Sequence, residues 1–482
     1  MTTKTPQIAV IGGGISGLAC VFRLLELKRE NKTDFETLLF EKDPRLGGTL
    51  ETVQKDGFTL EMGPDSFISE KPWGVELCKK LKVDDQIIGT KNENKKSFIV
   101  RKKKLIPVPE GFYLVAPTQI KTFFKTPLFS LPGKFRMMAE MLIPKNVSST
   151  DESVAQFMRR RFGREALERV GQPMLAGIYT GDPEYLSLKA TMPRFRELEK
   201  KYGSVIKGLL QTSKDKNNNL TQASGPRYGL FLSFKEGMET LTRKLSESLP
   251  TGIARLHAGI KEVLRDKPSG KWKIVMATGQ HWMADVVCMT TSAKVTANLI
   301  KNVSAELVEN LNTITYESVA TVNLAFRRDQ IAHPLDGFGF VVPRTEKCAL
   351  VACSFTSQKY DFRAPEGHVL LRAFIGGAFG REFFKKDEQE LINLVESELS
   401  GLLGIRGRPL WSLLHRYPDS MVQYGVGHLE RIAQMEEELK NFPGLFLTGS
   451  SYRGVGIPDC IHDAEMTAEK IFAVMTPKET NA

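Results

Sequence analysis

The segment Gln7-Ile8-Ala9-Val10-Ile11-Gly12-Gly13-Gly14-Ile15-Ser16-Gly17-Leu18-Ala19 constrains this chain more than any other. An apolar run enters three glycines and apolar residues then return with helical spacing, which predicts strand, tight turn and helix in one unit. Gly12 permits the turn, Gly14 lets backbone approach a pyrophosphate, and Gly17 lets the helix pack closely on the strand. The N–H groups of Gly13, Ile15 and Ser16 then face the anion at the helix start. Leu38-Leu39-Phe40-Glu41 reads as the second strand, and Glu41, 24 residues beyond Gly17, is placed with Lys42 at the ribose of such a ligand. A Gly-rich turn with a chance acid is the plainer alternative.

The rest of the chain narrows the class. Its 482 residues allow about three domain-sized units. Lys plus Arg exceed Asp plus Glu by 67 − 56 = 11, which favours anionic substrates or anionic lipid; no nucleic-acid motif accompanies the excess. Six scattered cysteines without a CxxC or Cys/His companion predict reduced thiols and no metal site. The glycines inside Ile8–Phe22 argue against a signal peptide, and no run is long and apolar enough to predict a membrane span.

A second Gly-rich approach, Arg45-Leu46-Gly47-Gly48-Thr49, points to a flavin dinucleotide laid across the sheet, with Arg45 able to meet a phosphate. The turn Gly63-Pro64-Asp65-Ser66 is expected to press backbone against the isoalloxazine. Lys91–Lys104 is a basic hairpin in which Arg101, beside Phe98-Ile99-Val100, is the candidate carboxylate partner. Pro107–Thr150 interleaves Phe, Leu and Met with Lys121, Lys125, Lys134 and Arg136, as on a surface that dips into lipid headgroups; a core-facing helix pair is the alternative. Ser149 to Glu152 predicts a capping box for a helix ending at Gly163, and Lys214–Ser224 a polar loop. Three strands are expected over Ala254–Ile260, Lys271–Val275 and Ala284–Met289; Ile260 either lies against an adenine or faces the core. A further α/β block spans 296–420. The end of the chain, Leu445–Gly449 then Gly454-Val455-Gly456-Ile457-Pro458-Asp459, repeats the strand-to-helix turn and is expected to fold back onto the cofactor, its helix N-terminus favouring charge on a reduced flavin.

Taken together, Ile11–Leu18, Arg45–Thr49, Glu61–Phe67, Phe157–Glu165, Pro173–Ser187, Gly203-Ser204 and Tyr452–Ile461 resemble the protoporphyrinogen oxidase family. The resemblance implies an α/β fold: a discontinuous, Rossmann-like FAD domain of the glutathione-reductase and amine-oxidase type (1–90, 225–295, 420–482), an α/β substrate domain (91–105, 296–419) and a helical membrane-facing domain (106–224). It implies oxidation of protoporphyrinogen IX in three two-electron steps with oxygen as acceptor and peroxide as product, in haem biosynthesis; oxidation of coproporphyrinogen III is the alternative by the same chemistry. The flavin carries the reaction, so no catalytic side chain is expected, and His415, His428 and His462 are read as structural. By resemblance Arg101 meets a propionate, Phe374 stacks on a pyrrole, Ala176 and Gly177 give backbone contact and Val341 an apolar wall. Val455, Gly456 and Ile457 line the flavin, and Tyr417, which stands where most members carry Trp, stacks on either the flavin or the adenine side. A cytoplasmic enzyme at the inner face of the membrane is implied, with a homodimer left open. An amine oxidase, a desaturase and a non-catalytic lipid carrier are the remoter readings.

Overall fold

The computed structural model describes residues 5–476 except 92, 94, 95, 114, 115, 149 and 219–229. Gln7–Ile11 is apolar on both faces because it lies in the middle of a sheet, and Ile8, Ala9, Val10 and Ile11 are all buried. The sheet is parallel, in the order Ala254–Arg255, Glu36–Phe40, Gln7–Ile11, Val286–Met289, Leu445–Leu447. The chain leaves the first strand to one side through Ile15–Asn31 and reaches its other neighbour only at Val286, so a crevice opens at the carboxyl end of Gln7–Ile11. One face of the sheet packs on Ile15–Asn31 and the terminal helix Ile457–Met475, through Leu18, Val21, Leu24, Ile461, Ala464 and Ala468.

The second sheet has seven strands: Trp411–Gln423, Thr315–Arg327, His368–Gly376, Leu350–Ser354, Gly339–Val341, Phe98–Arg101 and Lys104–Pro107. All neighbours are antiparallel except Gly339–Val341 against Phe98–Arg101. Val322, Leu324, Phe326, Leu371, Ala373 and Ile375 share one face and pack on Leu391, Val395, Leu399 and Leu403 of the helix Glu388–Leu403. The period of two puts Thr321, Asn323, Arg372, Phe374, His415 and Tyr417 on the opposite face, where Arg372 reaches Met62 just past the strand Phe58–Glu61.

Residues 120–218 are mainly short helices around Phe123, Phe129, Met137, Phe157, Phe162 and Phe195. They are tied by a buried ionic knot: Arg161, fully buried, donates from Nε to Glu140 Oε1 at 2.8 Å and from Nη2 to Gly203 O at 3.0 Å, while Val205 N donates to Glu140 Oε1 at 2.9 Å. A buried guanidinium is tolerable here because its donors are satisfied.

Five local expectations are corrected. The cap of Val154–Arg161 is Ser153, in a reciprocal box with Gln156, because those two side chains reach the helix start; Ser149 lies outside the described residues. Lys214–Asn218 continues the helix Val205–Asn218 rather than forming a loop, since the intrinsic helix cost of Lys, Asp and Asn is small, and 219–224 lie outside the described residues. The single strand expected over Ala254–Ile260 divides into Ala254–Arg255, which joins the parallel sheet, and Ile260–Arg265, which opens an antiparallel ribbon. Ala284–Met289 likewise divides at Asp285, whose carboxylate accepts from Gln7 N at 2.9 Å. Of the four cations assigned to a lipid-facing surface, Lys134 is 5 % exposed with Nζ on Phe124 O, and Arg136 caps the carbonyls of residues 159–161; only Lys121 and Lys125 stand exposed. No helix among the described residues is long and apolar enough to cross a membrane.

Candidate functional site

The carboxyl end of the first strand is built for an anion. Gly12 has φ +111°, and a Cβ on Gly17 would fall 1.9 Å from Gly12 O, so turn and helix require glycine at both positions. Gly14 differs, because a Cβ there meets no protein atom within 4 Å and its backbone already suits an L residue (φ −72°). The opening over Gly14 is therefore room for a ligand. The helix Ile15–Asn31 starts with no side-chain cap and no acid in its first turn, leaving the N–H groups of Ile15 and Ser16 to a bound anion. Glu41 is buried, its Oε2 accepting from Gly13 N at 2.6 Å and its Oε1 from Asp43 N at 2.9 Å, which fixes the carboxylate beside the loop with lone pairs left for a diol. Ala258 N donates to Glu41 O and Gly259 lies against Lys42, so Ile260 stands at this same end while also packing on the core beneath the sheet.

The second Gly-rich segment closes over the first. Gly47 N donates to Gly13 O at 2.8 Å, and a Cβ on Gly48 would lie 3.2 Å from the Gly14 Cα. Gly63 in turn lies against Thr49, where a Cβ would sit 1.7 Å from the Thr49 carbonyl. Three segments distant in sequence thus form one wall, with Gly48, Thr49 and Pro64 exposed along it. Arg45 is not free for a phosphate: it donates to the carbonyls of Leu46, Gly48 and Leu50 and pairs with Glu51 at 3.2 Å, so its work is to hold the loop's shape.

Facing this wall is the polar side of the seven-stranded sheet. Tyr417 lies 4.3 Å ring to ring from His415, and its hydroxyl is buried without a partner; burial pushes that phenol up to about 12, with Arg372, Glu51 and Arg45 as its charged neighbours. Arg372 Nη2 donates to Met62 O at 2.6 Å, immediately before the Gly63–Ser66 turn. Burial pushes the Asp65 carboxyl up, but Lys359 at 2.9 Å and Arg372 outweigh it and hold it at about 2. Burial raises Glu61 to about 7 against the opposing pull of Arg363, 3.7 Å away. Arg372, Lys359, Thr321 and Asn323 were not expected from sequence. For Arg372, Thr321 and Asn323 the signal was available as polar residues at alternate positions in otherwise apolar strands, which marks one face as not core; Lys359 ends the short helix Thr356–Lys359 and carries no such signal.

The remaining predicted residues fall into two groups. Register places Ile99, Val341 and Phe374 on the face that carries Thr321, with Arg101 at the end of its strand. Gly177, exposed near the end of the helix Gln172–Tyr179, lies with its Cβ position 3.5 Å from Val341, and Ala176 is buried beneath it. Arg101 is half-buried and has no hydrogen bond or ion pair among the described residues; its charged neighbours are Glu165 and Arg169. At the far end, Gly456 begins the terminal helix, Val455 is half-buried and Ile457 belongs to the core. Asp459 already occupies that helix's first turn and pairs with Lys71 at 2.6 Å, so the N-terminus is partly answered by the protein's own acid. His428 and His462 are structural: His428 stacks 4.0 Å from Tyr424 and bonds Tyr452 O at 2.8 Å, and His462 stacks 3.9 Å from Trp73. His415 stands instead on the cleft face. Among the described residues no group of three or more His, Cys, Asp or Glu could hold a metal.

This arrangement fits a dinucleotide with its diphosphate over Gly14, a ribose at Glu41 and an extended ring between Gly63–Ser66 and the sheet. Residues 15–472 match the model of the flavin containing amine oxidoreductases. A coproporphyrinogen III oxidase of Bacillus subtilis is 34% identical over 96% of this chain and 97% of its own length. One from Staphylococcus aureus is 34% identical over 97% of this chain and 99% of its own. A solved structure from Exiguobacterium sp. 255-15, provisionally named a protoporphyrinogen oxidase, superposes with a TM-score of 0.85 at 30% identity, covering 97% of this chain and 99% of that one. The resemblance read from the motifs is thereby borne out, and the chain belongs to the flavin-containing amine oxidoreductase family, with FAD as its cofactor.

Proposed function

We propose that this protein oxidises coproporphyrinogen III to coproporphyrin III, removing six electrons and six hydrogens in three two-electron steps, with three molecules of oxygen reduced to hydrogen peroxide. The observation that carries the reading is that the two 34% identical relatives, matched over nearly their whole length, are named for this substrate. The protoporphyrinogen reading, first expected from the motifs, becomes the alternative, supported by the provisional name of the solved structure.

FAD supplies the hydride acceptor and its reoxidation by oxygen. The chain's own residues bind, orient and exclude water. Gly12–Gly17, Glu41 and Gly47–Thr49 are the proposed grip on the dinucleotide, with Gly63–Ser66 and Tyr417 at its ring. Phe374 and Val341 offer apolar walls to a tetrapyrrole, and Gly177, lacking a side chain, leaves backbone for close approach. Arg101, with no hydrogen bond or ion pair of its side chain among the described residues, is the proposed ligand of a substrate carboxylate. The discriminating experiment is steady-state kinetics with both porphyrinogens; a kcat/KM for protoporphyrinogen IX equal to or above that for coproporphyrinogen III would reverse the assignment.

A further inference from the structure

The buried charges where the seven-stranded sheet meets the segment Glu61–Asp65 do not balance. Lys359 has Asp65 at 2.9 Å, and Arg363 has Glu61 at 3.7 Å while also donating to Ser233 Oγ and Phe234 O. Arg372 is 3 % exposed, on a central strand, and has no carboxylate of its own among the described residues. Its one hydrogen bond there is from Nη2 to Met62 O, and its Nε is buried without a partner. Three cations thus face two carboxylates. A buried cation in surplus is costly unless an anion comes to meet it.

The polar atoms around Arg372 are incomplete in the same way. Asn323 lies opposite Arg372 in register, and both atoms of its amide are buried and unpartnered among the described residues; the Thr321 and Tyr417 hydroxyls on the same face are too. The Phe374 ring closes one side, 5.0 Å from the guanidinium. Burial pulls the Arg372 guanidinium down from its ordinary range while Asp65 and Glu61 support it, but an arginine stays protonated. Met62 leads directly into Gly63–Ser66, the turn assigned to the flavin ring.

We infer that Arg372 is a positioning residue for the flavin, supplying the positive charge that holds the ring's anionic, two-electron-reduced form, with Asn323, Thr321 and Tyr417 completing its hydrogen bonds. The inference rests on FAD as cofactor and is independent of which porphyrinogen is oxidised. Arg372 is a site of charge stabilisation arranged in advance, in a place that excludes water.

Sulfite tests it without turnover, because its lone pair adds to N5 of oxidised flavin and leaves the ring anionic. Arg372→Gln keeps an N–H for Met62 O and removes the charge; Arg372→Lys keeps the charge. With FAD-loaded protein and bleaching of the flavin's visible band as readout, Arg372→Gln should bind sulfite at least about tenfold more weakly than wild type and Arg372→Lys within about threefold of it, as expected for one charge at low effective dielectric. Wild-type sulfite affinity in Arg372→Gln overturns the inference, as does a change confined to the KM for porphyrinogen, which would place Arg372 on the substrate. If Arg372→Gln fails to hold FAD, flavin retained by Arg372→Lys supports the charge role, whereas equal loss from both shows packing and refutes it. A wild-type protein without flavin would instead contradict the cofactor itself.

Discussion

Valine at position 14 separates the fold's need for glycine from the ligand's. Gly14 has ordinary extended geometry and an empty Cβ direction, so Gly14→Val should leave the apoprotein within about 1 kcal/mol of wild type, the small helix-cap cost being offset by reduced freedom of the unfolded chain. The same side chain fills the approach to the helix N-terminus. Displacing the diphosphate from two charge-assisted N–H contacts, each worth about 1.5–3 kcal/mol, removes about 3–6 kcal/mol of binding, or about 10²- to 10⁴-fold in Kd. Gly17→Ala is the contrast: its Cβ would stand 1.9 Å from the Gly12 carbonyl, so the fold itself must give way. Thermal unfolding of the apoproteins followed by circular dichroism, with FAD titration by flavin fluorescence quenching, reads both effects. Stoichiometric FAD in Gly14→Val, or unfolding of Gly14→Val comparable to that of Gly17→Ala, would refute the reasoning.

Three further perturbations test other parts of the account. Burial lowers His428 to about 4, so between its unfolded value of 6.5 and 4 the unfolded chain takes up a proton that the native state refuses; stability is full above pH 6.5 and falls by about 3 kcal/mol as pH drops to 4, and His428→Gln should flatten that slope in urea titrations across the range. Glu140→Gln leaves Arg161 buried beside an amide and should cost about 3–5 kcal/mol in denaturant unfolding, much of it recovered in the double variant Glu140→Met/Arg161→Met; an unchanged midpoint in the single variant would show that the knot carries no stability. Arg101→Ala should raise KM about 10- to 100-fold with kcat within about threefold, as for a contact made equally before and during reaction; unchanged KM would return Arg101 to the solvated hairpin.

What the sequence made legible was local and period-bound. Gly12-Gly13-Gly14 with Gly17 and Glu41 could be read because each residue's task follows from its immediate neighbours in strand, turn and helix. The alternation in Ser318–Phe326 and Val369–Gly376 gave the strands but not the partner of each face, so Arg372 and Asn323 went unremarked although they stood at the informative phase. Arg45 and Lys134 differ from expectation for one reason: each cation is held by backbone carbonyl groups, Arg45 by Leu46, Gly48 and Leu50 of its own loop and Lys134 by Phe124 of the helix Ile120–Lys125, which no spacing rule exposes. The cap at Ser153 displaced the one expected from Ser149 because two adjacent signatures compete and packing of Val154 chooses between them. Long-range closures such as Gly63 on Thr49 depend on tertiary approach alone.

Coproporphyrinogen III as the proposed electron donor is tested most directly by reduction of the flavin itself. Under strict anaerobiosis, the FAD-loaded protein is mixed with coproporphyrinogen III and, separately, with protoporphyrinogen IX, and loss of the flavin's visible absorbance is followed in a stopped-flow instrument before oxygen is readmitted. The account predicts rapid bleaching by coproporphyrinogen III, slower bleaching by protoporphyrinogen IX, and return of the colour with peroxide on readmission. Faster reduction by protoporphyrinogen IX would reverse the substrate, and reduction by neither would contradict porphyrinogen oxidation altogether.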